Sequence, residues 1–301
     1  MTDQRSTAGL ADFAEHRDLL FTVAYEITGS VADAEDVVQE TYLRWSEITG
    51  EARAQIRNSR AYLASIATRQ ALNRLRSQSR RREEYVGPWL PEPLVTAPDV
   101  ADDVVLAESV SMAMMLVVES LTPDERAVFV LHEVFGFAHD EIAEAISKSP
   151  AAVRQIAHRA RAHVQARRPR FARDDVVAAQ VVQHFLEAAA SGDLQQLMDV
   201  LAPDVVLLSD GGGKVSVNLR PVVTADKVAR FLVGLQGKLA LDDPTAEAAV
   251  VNGRPGALIY LAGALDTVVT IEVDGEKISR VYLVRNPDKL DAARSTQRLQ
   301  R

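Results

Sequence analysis

Along the first 170 residues apolar positions recur at helical spacing, and in the last third the pattern changes to helices followed by alternating strands. Ala34, Val37, Val38, Thr41, Tyr42 and Trp45 form one stripe after the Gly29-Ser30 break, and Leu63, Ile66, Ala67, Ala71 and Leu75 form a second on a predicted helix over roughly 58 to 82. Segment 139 to 146 buries Ile142, Ala143 and Ile146, and only Ser147 and Lys148 separate it from Ser149-Pro150. Serine accepts from a first-turn amide and proline loses no bond at the first helical position, so a helix starts there, with Val153, Ile156, Ala157, Ala160 and Val164 inward. Two short amphipathic helices across so tight a turn predict a helix-turn-helix.

From residue 174 onward the reading is α+β. Val177, Val181, Val182, Phe185 and Leu186 mark a helix over 175 to 190, closed by Ser191-Gly192 and followed by a second over 193 to 201. A strand at 204 to 209, a helix near 224 to 236 and strands at 246 to 251, 256 to 262, 265 to 273 and 277 to 285 follow, with Asn252-Gly253 and Asp274-Gly275 as two-residue hairpin turns. The prolines of Val86-Gly-Pro-Trp-Leu-Pro-Glu-Pro-Leu94 exclude a helix, so this segment runs extended and its Trp89 and Leu90 need a surface to dock on. Four parts are expected: an all-α domain over 1 to 84, a proline-rich linker over 85 to 108, an all-α helix-turn-helix domain over 109 to 171 and an α+β domain over 172 to 301.

Charge changes the picture. The chain carries a net charge of -8, yet residues 148 to 173 hold eight Lys or Arg and residues 53 to 82 nine Arg, both without an acid. Segregated positive charge on helices is the footprint of phosphate contact. Arg154, Gln155, His158 and Arg159 project from the first island, and Arg69, Asn73, Arg74, Arg76 and Arg80 from the second; these side chains suit phosphates and base edges. Residues 1 to 50 (ten acids, three bases) and 83 to 147 (fourteen acids, only Arg126) would repel a duplex and suit protein partners or masking of the basic surfaces.

The order DAEDVVQETYLRW, arginine helix, linker, then LTPDERAVFVLHEVFGFAHDEIAEAISKSPAAVRQIAHRARAHV resembles a bacterial extracytoplasmic-function RNA polymerase sigma factor over residues 10 to 170. The resemblance implies that Asp33, Asp36, Gln39 and Glu40 face core RNA polymerase. It further implies that Arg69, Asn73, Arg74 and Arg76 contact the promoter -10 element, and Arg154, Gln155, His158 and Arg159 the -35 element. Arg69, Asn73 and Ser147 stand where many members have Asn, Asp and Gly. WLPEPL, Asp210-Gly211-Gly212-Gly213-Lys214 and Asn286-Pro287-Asp288-Lys289-Leu290 are similar to signatures of a SigJ-like subgroup with a fused C-terminal domain. The phrase FLEAAASGDLQQLMDVLAPDVVLLSD resembles the SnoaL-like cone fold, in which an apolar pocket is common.

Regulatory contacts between domains are therefore expected at Trp89, Leu90, Pro91, Pro93, Asp210 to Lys214 and Asn286 to Lys289. The function expected is an alternative sigma factor that directs promoter-specific initiation, modulated by its C-terminal domain, with no separate anti-sigma factor required and a small molecule as a candidate ligand of the cone. Two rivals are a one-component helix-turn-helix regulator with a sensor domain and a sigma factor whose cone is an enzyme. Enzyme chemistry would draw on His184, Asp266, Glu272, Tyr260 or Tyr282, and no catalytic residue is assigned. No cofactor or metal is expected: the chain has no Cys, and His16, His132, His139, His158, His163 and His184 make no ligand spacing. The polar start and the lack of a long apolar run lead to an expected cytoplasmic location, with no membrane contact.

Overall fold

The computed structural model describes the backbone of residues 2–97, 100, 103–167, 175–239 and 243–301, and the side chains of 11–78, 84–97, 100, 103–167, 177–238 and 243–301. The side chain of Arg80, the rest of its arginine run, and the expected boundary at 171 to 172 lie outside these residues.

The N-terminal part is α1 (Thr2–Thr28), α2 (Val31–Glu47), α3 (Gly50–Ala54) and α4 (Ser59–Glu83). Ser30 caps α2 by accepting from the Asp33 amide at 3.2 Å, which fixes the acidic helix where the Gly29-Ser30 break foretold. Val37, Val38, Thr41 and Trp45 are buried as the stripe requires, but Tyr42 is 37% exposed, its ring in an edge contact with Phe13. After the linker come α5 (Val104–Ser109), α6 (Met112–Glu119), α7 (Pro123–Phe129), a π-helical turn at Val130–Val134, α8 (His139–Ile146) and α9 (Pro150–Arg167). Ser147 takes φ 56° between α8 and α9, the left-handed conformation that favours glycine at this turn.

α10 (Asp175–Ser191) and α11 (Leu194–Val200) lead into β2 (Leu201–Asp210); β3 (Val222–Val223), α12 (Ala225–Leu239), β4 (Thr245–Val251), β5 (Arg254–Leu261), β6 (Ala264–Asp274), β7 (Lys277–Val284), α13 (Pro287–Leu290), a 3-10 turn at Asp291–Arg294 and β8 (Thr296–Gln297) complete the chain. The strand after α11 begins earlier than expected, because Pro203 disfavours helix at the residue before it. Asn252 and Gly253 both have positive φ (52° and 68°), as a two-residue hairpin turn needs.

Residues 86 to 94 hold no helix, as their prolines require, while α5 begins within the range expected for the linker and β1 (Val95–Thr96) joins the C-terminal sheet, whose order among the described residues is β3-β2-β7-β6-β5-β4-β1-β8. Both faces of this sheet are buried. Leu207, Val269, Ile271, Val281 and Leu283 pack under α10, α11 and α12, whereas their neighbours Val268, Tyr282 and Val284 pack on Leu90 of the linker and Met112 and Ala113 of α6. The two N-terminal helical parts share one core, in which Leu20, Trp45 and Leu63 are continuous with Leu131, Ile142 and Val153.

Candidate functional site

Three motifs far apart in sequence meet around one carboxylate. Asp210 ends β2 with no solvent exposure. Its Oδ1 accepts from the Tyr85 hydroxyl at 2.6 Å and the Gly212 amide at 3.0 Å. Its Oδ2 accepts from the Leu90 amide at 2.9 Å and Lys289 Nζ at 2.7 Å. Four donors satisfy the buried charge, as its desolvation demands. Lys289 Nζ also donates to the Leu90 carbonyl at 2.6 Å and stands 4.2 Å above the Trp89 ring and 4.8 Å from that of Tyr85. The backbone of one linker residue, Leu90, is thus gripped at both its N–H and its C=O by an ion pair of the C-terminal domain. Burial pulls Lys289 below the usual lysine range, with Asp210 opposing, and burial raises the Tyr85 phenol, with Asp210 adding to the rise.

Asn286 caps α13 by accepting from Asp288, Pro287 sits at the first helical position, and the Asn286 amide donates to Tyr85 at 2.8 Å. Lys214 closes the glycine loop onto Asp288 at 2.6 Å, both exposed. Pro91 and Pro93 are buried.

Below this point the linker also holds the first helices. Glu92 Oε2 accepts from the Val31 amide at 2.6 Å, the Glu92 amide donates to Gly29, and Tyr25 Oη donates to the Glu92 carbonyl at 2.6 Å. Asn252, read from sequence only as a turn, donates to Tyr25 Oη at 2.8 Å and to the Val110 carbonyl at 2.9 Å, and accepts from the Leu94 amide at 3.0 Å. One buried amide joins all four parts.

The DNA-type residues fall into two groups. On α9, Arg154, Gln155 and His158 are exposed, while Arg159 pairs with Glu125 at 3.3 Å. On α4, Asn73 is exposed, but Arg69 donates to the carbonyls of Ala145 (3.2 Å) and Glu144 (3.1 Å) at the end of α8. Arg76 and Lys148 both pair with Asp124 of α7, at 3.2 and 3.0 Å. Arg74 pairs with Asp33 (3.2 Å) and Asp36 (2.9 Å), so two of the four residues expected to face polymerase and one arginine expected to face DNA meet one another. Glu40 pairs with Arg44 and Gln39 is exposed. Sequence reasoning missed Arg126, 4% exposed, which links α7 to the end of α1 by donating to Ile27 at 2.9 Å.

Residues 13–81 match the Sigma-70 region 2 family and residues 111–164 the Sigma-70 region 4 family. The chain is 40% identical over 294 residues to the ECF RNA polymerase sigma factor SigJ of Mycobacterium tuberculosis, covering 93% of this chain and 92% of that one. It belongs to the extracytoplasmic-function sigma factors. The probable sigma factor SigI of the same organism is 31% identical over 289 residues, 95% of this chain and 96% of that one. The crystal structure of the M. tuberculosis sigma factor SigJ superposes with a TM-score of 0.75 at 37% identity, covering 94% of this chain and 99% of that one. This sigma factor is therefore two all-α sigma domains joined to an α+β domain, and directs transcription initiation as an alternative sigma factor.

Of the residues a cone enzyme would draw on, His184 is exposed on α10, Glu272 and Tyr282 lie on the sheet face turned to the sigma domains, and Asp266 is held by Arg285 at 2.8 and 2.9 Å. Among the described residues no three His, Asp or Glu converge on a metal position, and no helix is long and apolar enough to cross a membrane.

Region 2 and α5 meet at a buried carboxyl. Glu26 lies 2.7 Å from Ser109 Oγ, and burial pushes it up to about 8. Its folded value stands above its unfolded one, so folded protein holds the extra proton and stability from this group declines as pH rises between about 4.5 and 8. Glu272, pushed up to about 7, adds to the lower part of that window. Urea unfolding across this range should show Glu26→Gln with a shallower decline than the parent and greater stability at the alkaline end. Equal slopes would show that Glu26 is charged in the fold.

Proposed function

We propose that this sigma factor rests in a closed state, held by its own C-terminal domain, and must open to engage core polymerase and promoter together. The observation that carries this reading is Arg69 of α4 bonded to the last carbonyls of α8. Elements named -10 and -35 lie on the order of 85 Å apart along B-form DNA, at about 3.4 Å per base pair. A helix assigned to the first and a helix-turn-helix assigned to the second cannot sit in hydrogen-bond contact while both read DNA. Asp33, Asp36, Gln39 and Glu40 are proposed to face polymerase; Arg69, Asn73, Arg74, Arg76 and Arg80 the -10 element; Arg154, Gln155, His158 and Arg159 the -35 element. In the closed state several of these charges neutralise one another, which masks the basic surfaces.

The clamp of Asp210 and Lys289 on Tyr85 and Leu90 of the linker takes the place of a separate anti-sigma factor, acting in the cytoplasm as part of the same chain. The cone serves in this reading as a clamp and a ligand-responsive element rather than as a catalyst.

Purified protein added to core polymerase should give a transcript from a defined start on its cognate promoter, with none from core alone. Arg154→Ala should cut that transcript roughly tenfold, the value of a good base contact. Retarded DNA with no transcript would identify a repressor instead.

A further inference from the structure

The opposite side of the clamp strand lines a cavity. Ser209 and Asp210 are consecutive on β2, so they face opposite sides of the sheet. Ser209 pairs with Leu283 under the helices, and Asp210 with Val284 toward the linker. A cavity of about 510 Å³ is lined by Ser209, by Val215 to Asn218 directly after the glycine loop, and by Arg230, Lys238 and Arg285, with no carboxylate among its lining residues. Ser209 Oγ has no hydrogen-bond partner among the described residues although the residue is 1% exposed. Arg230 is neutralised by Asp226 and Arg285 by Asp266, which leaves Lys238 with no ion pair among the described residues.

Leu235 and Leu283 also line a second cavity, of about 270 Å³, that runs between α10, α12 and the sheet and has no charged side chain among its described lining residues. A polar chamber, whose ammonium and hydroxyl have no partner among the described residues, thus shares the wall of Leu235 and Leu283 with an apolar one. In a chain of net charge -8 this is a local reversal of sign.

We infer that the cone binds a small amphipathic anion, its carboxylate between Lys238 and Ser209 and its apolar body in the inner chamber, and that occupancy loosens the grip on the linker. The coupling path is short. The Arg285 amide donates to the Asp210 carbonyl at 2.7 Å, Asn286 follows directly, and the glycine loop joins Asp210 to the cavity wall. A ligand that displaces this wall acts on both clamp motifs from behind. It shifts the closed state only by binding the open one more tightly. The inference deepens the closed-state reading and rests on it for its consequence, though not for the binding itself.

Trp89 stands under Lys289, and Trp45 is the only other tryptophan. In the full chain labelled with 5-fluorotryptophan, assigned through Trp89→Phe, titration with decanoate below its micelle concentration should move the Trp89 fluorine resonance saturably and leave Trp45 in place. Decanol should bind about tenfold more weakly, because a charge-assisted contact is lost. Lys238→Glu, at an exposed position that leaves the fold intact, should weaken decanoate about tenfold and decanol little, and Ser209→Ala should weaken decanoate by a smaller factor. No saturable binding, or decanoate binding indifferent to Lys238→Glu, overturns the site; binding without movement of Trp89 overturns the coupling. Asp210→Asn serves as the reference for an open clamp. If it fails to move Trp89, the clamp reading fails; if it moves Trp89 and decanoate does not, only the ligand inference does.

Discussion

Lys289→Met should be the most damaging single change at the clamp, lowering stability by about 3–5 kcal/mol, because it leaves the fully buried Asp210 carboxylate without its cation. The methionine keeps the apolar stem that packs near Trp89 and Tyr85, so the loss is one of charge and hydrogen bonding rather than of volume. Freed from Lys289, the Leu90 carbonyl also loses its partner. Adding Asp210→Asn to Lys289→Met should recover most of the loss, since no buried charge then remains, and this double variant distinguishes an electrostatic clamp from simple packing. Urea midpoints of the two single variants and the double one measure the effect. A single variant within about 1 kcal/mol of the parent would mean that water reaches Asp210 and that the pair contributes like a surface pair.

The three glycines after Asp210 should differ sharply in their tolerance of alanine. A Cβ on Gly211 would meet the Val215 carbonyl at 2.3 Å, and on Gly212, where φ is 60°, the Asn286 side chain at 2.4 Å. On Gly213, with φ 71°, the nearest atom is the Val86 side chain at 3.2 Å. Gly211→Ala and Gly212→Ala should cost roughly 2–4 kcal/mol from overlap and, at Gly212, left-handed strain, whereas Gly213→Ala should cost about 1–2 kcal/mol from strain alone. Gly212→Ala should in addition drive Asn286 off Tyr85, so limited proteolysis should cut the linker around Val86 faster in this variant than in Gly213→Ala. Equal behaviour of all three would show that the loop is only a flexible connection.

Much of this architecture is legible in short-range patterns. The stripe on α2, the Ser149-Pro150 start of α9 and the Asn252-Gly253 turn are local signals, each depending on residues within a few positions of one another. The motif residues Asp210, Asn286 and Lys289 were identified by resemblance, but which atoms they grip is not written in any periodicity. Tyr85 carries no signal: its partners lie 125 and 201 residues away. Asn252 is more instructive, because its turn role explains its presence completely and conceals its second role as the amide that joins Tyr25, Leu94 and Val110. Strand β1 escaped notice because two residues are too few to show alternation; its pairing with β4 and β8 comes from the fold. Charge segregation pointed to DNA without revealing that Arg69, Arg74 and Arg76 have protein partners in this structure. A free arginine and a masked one are the same letter in sequence.

The closed state is most directly tested by holding it shut. The Asn58 amide donates to Glu141 at 2.9 Å across the contact of α4 with α8, and the chain contains no cysteine of its own. In Asn58→Cys with Glu141→Cys the two thiols are therefore the sole targets for a short bis-maleimide that carries a cleavable disulfide. Run-off transcription with core polymerase should fall to the level of core alone when the pair is bridged and return to that of the unbridged double variant when the bridge is cut. Bridged protein that initiates at the unbridged rate would contradict the account, because it would show that region 2 and region 4 need not separate to read a promoter.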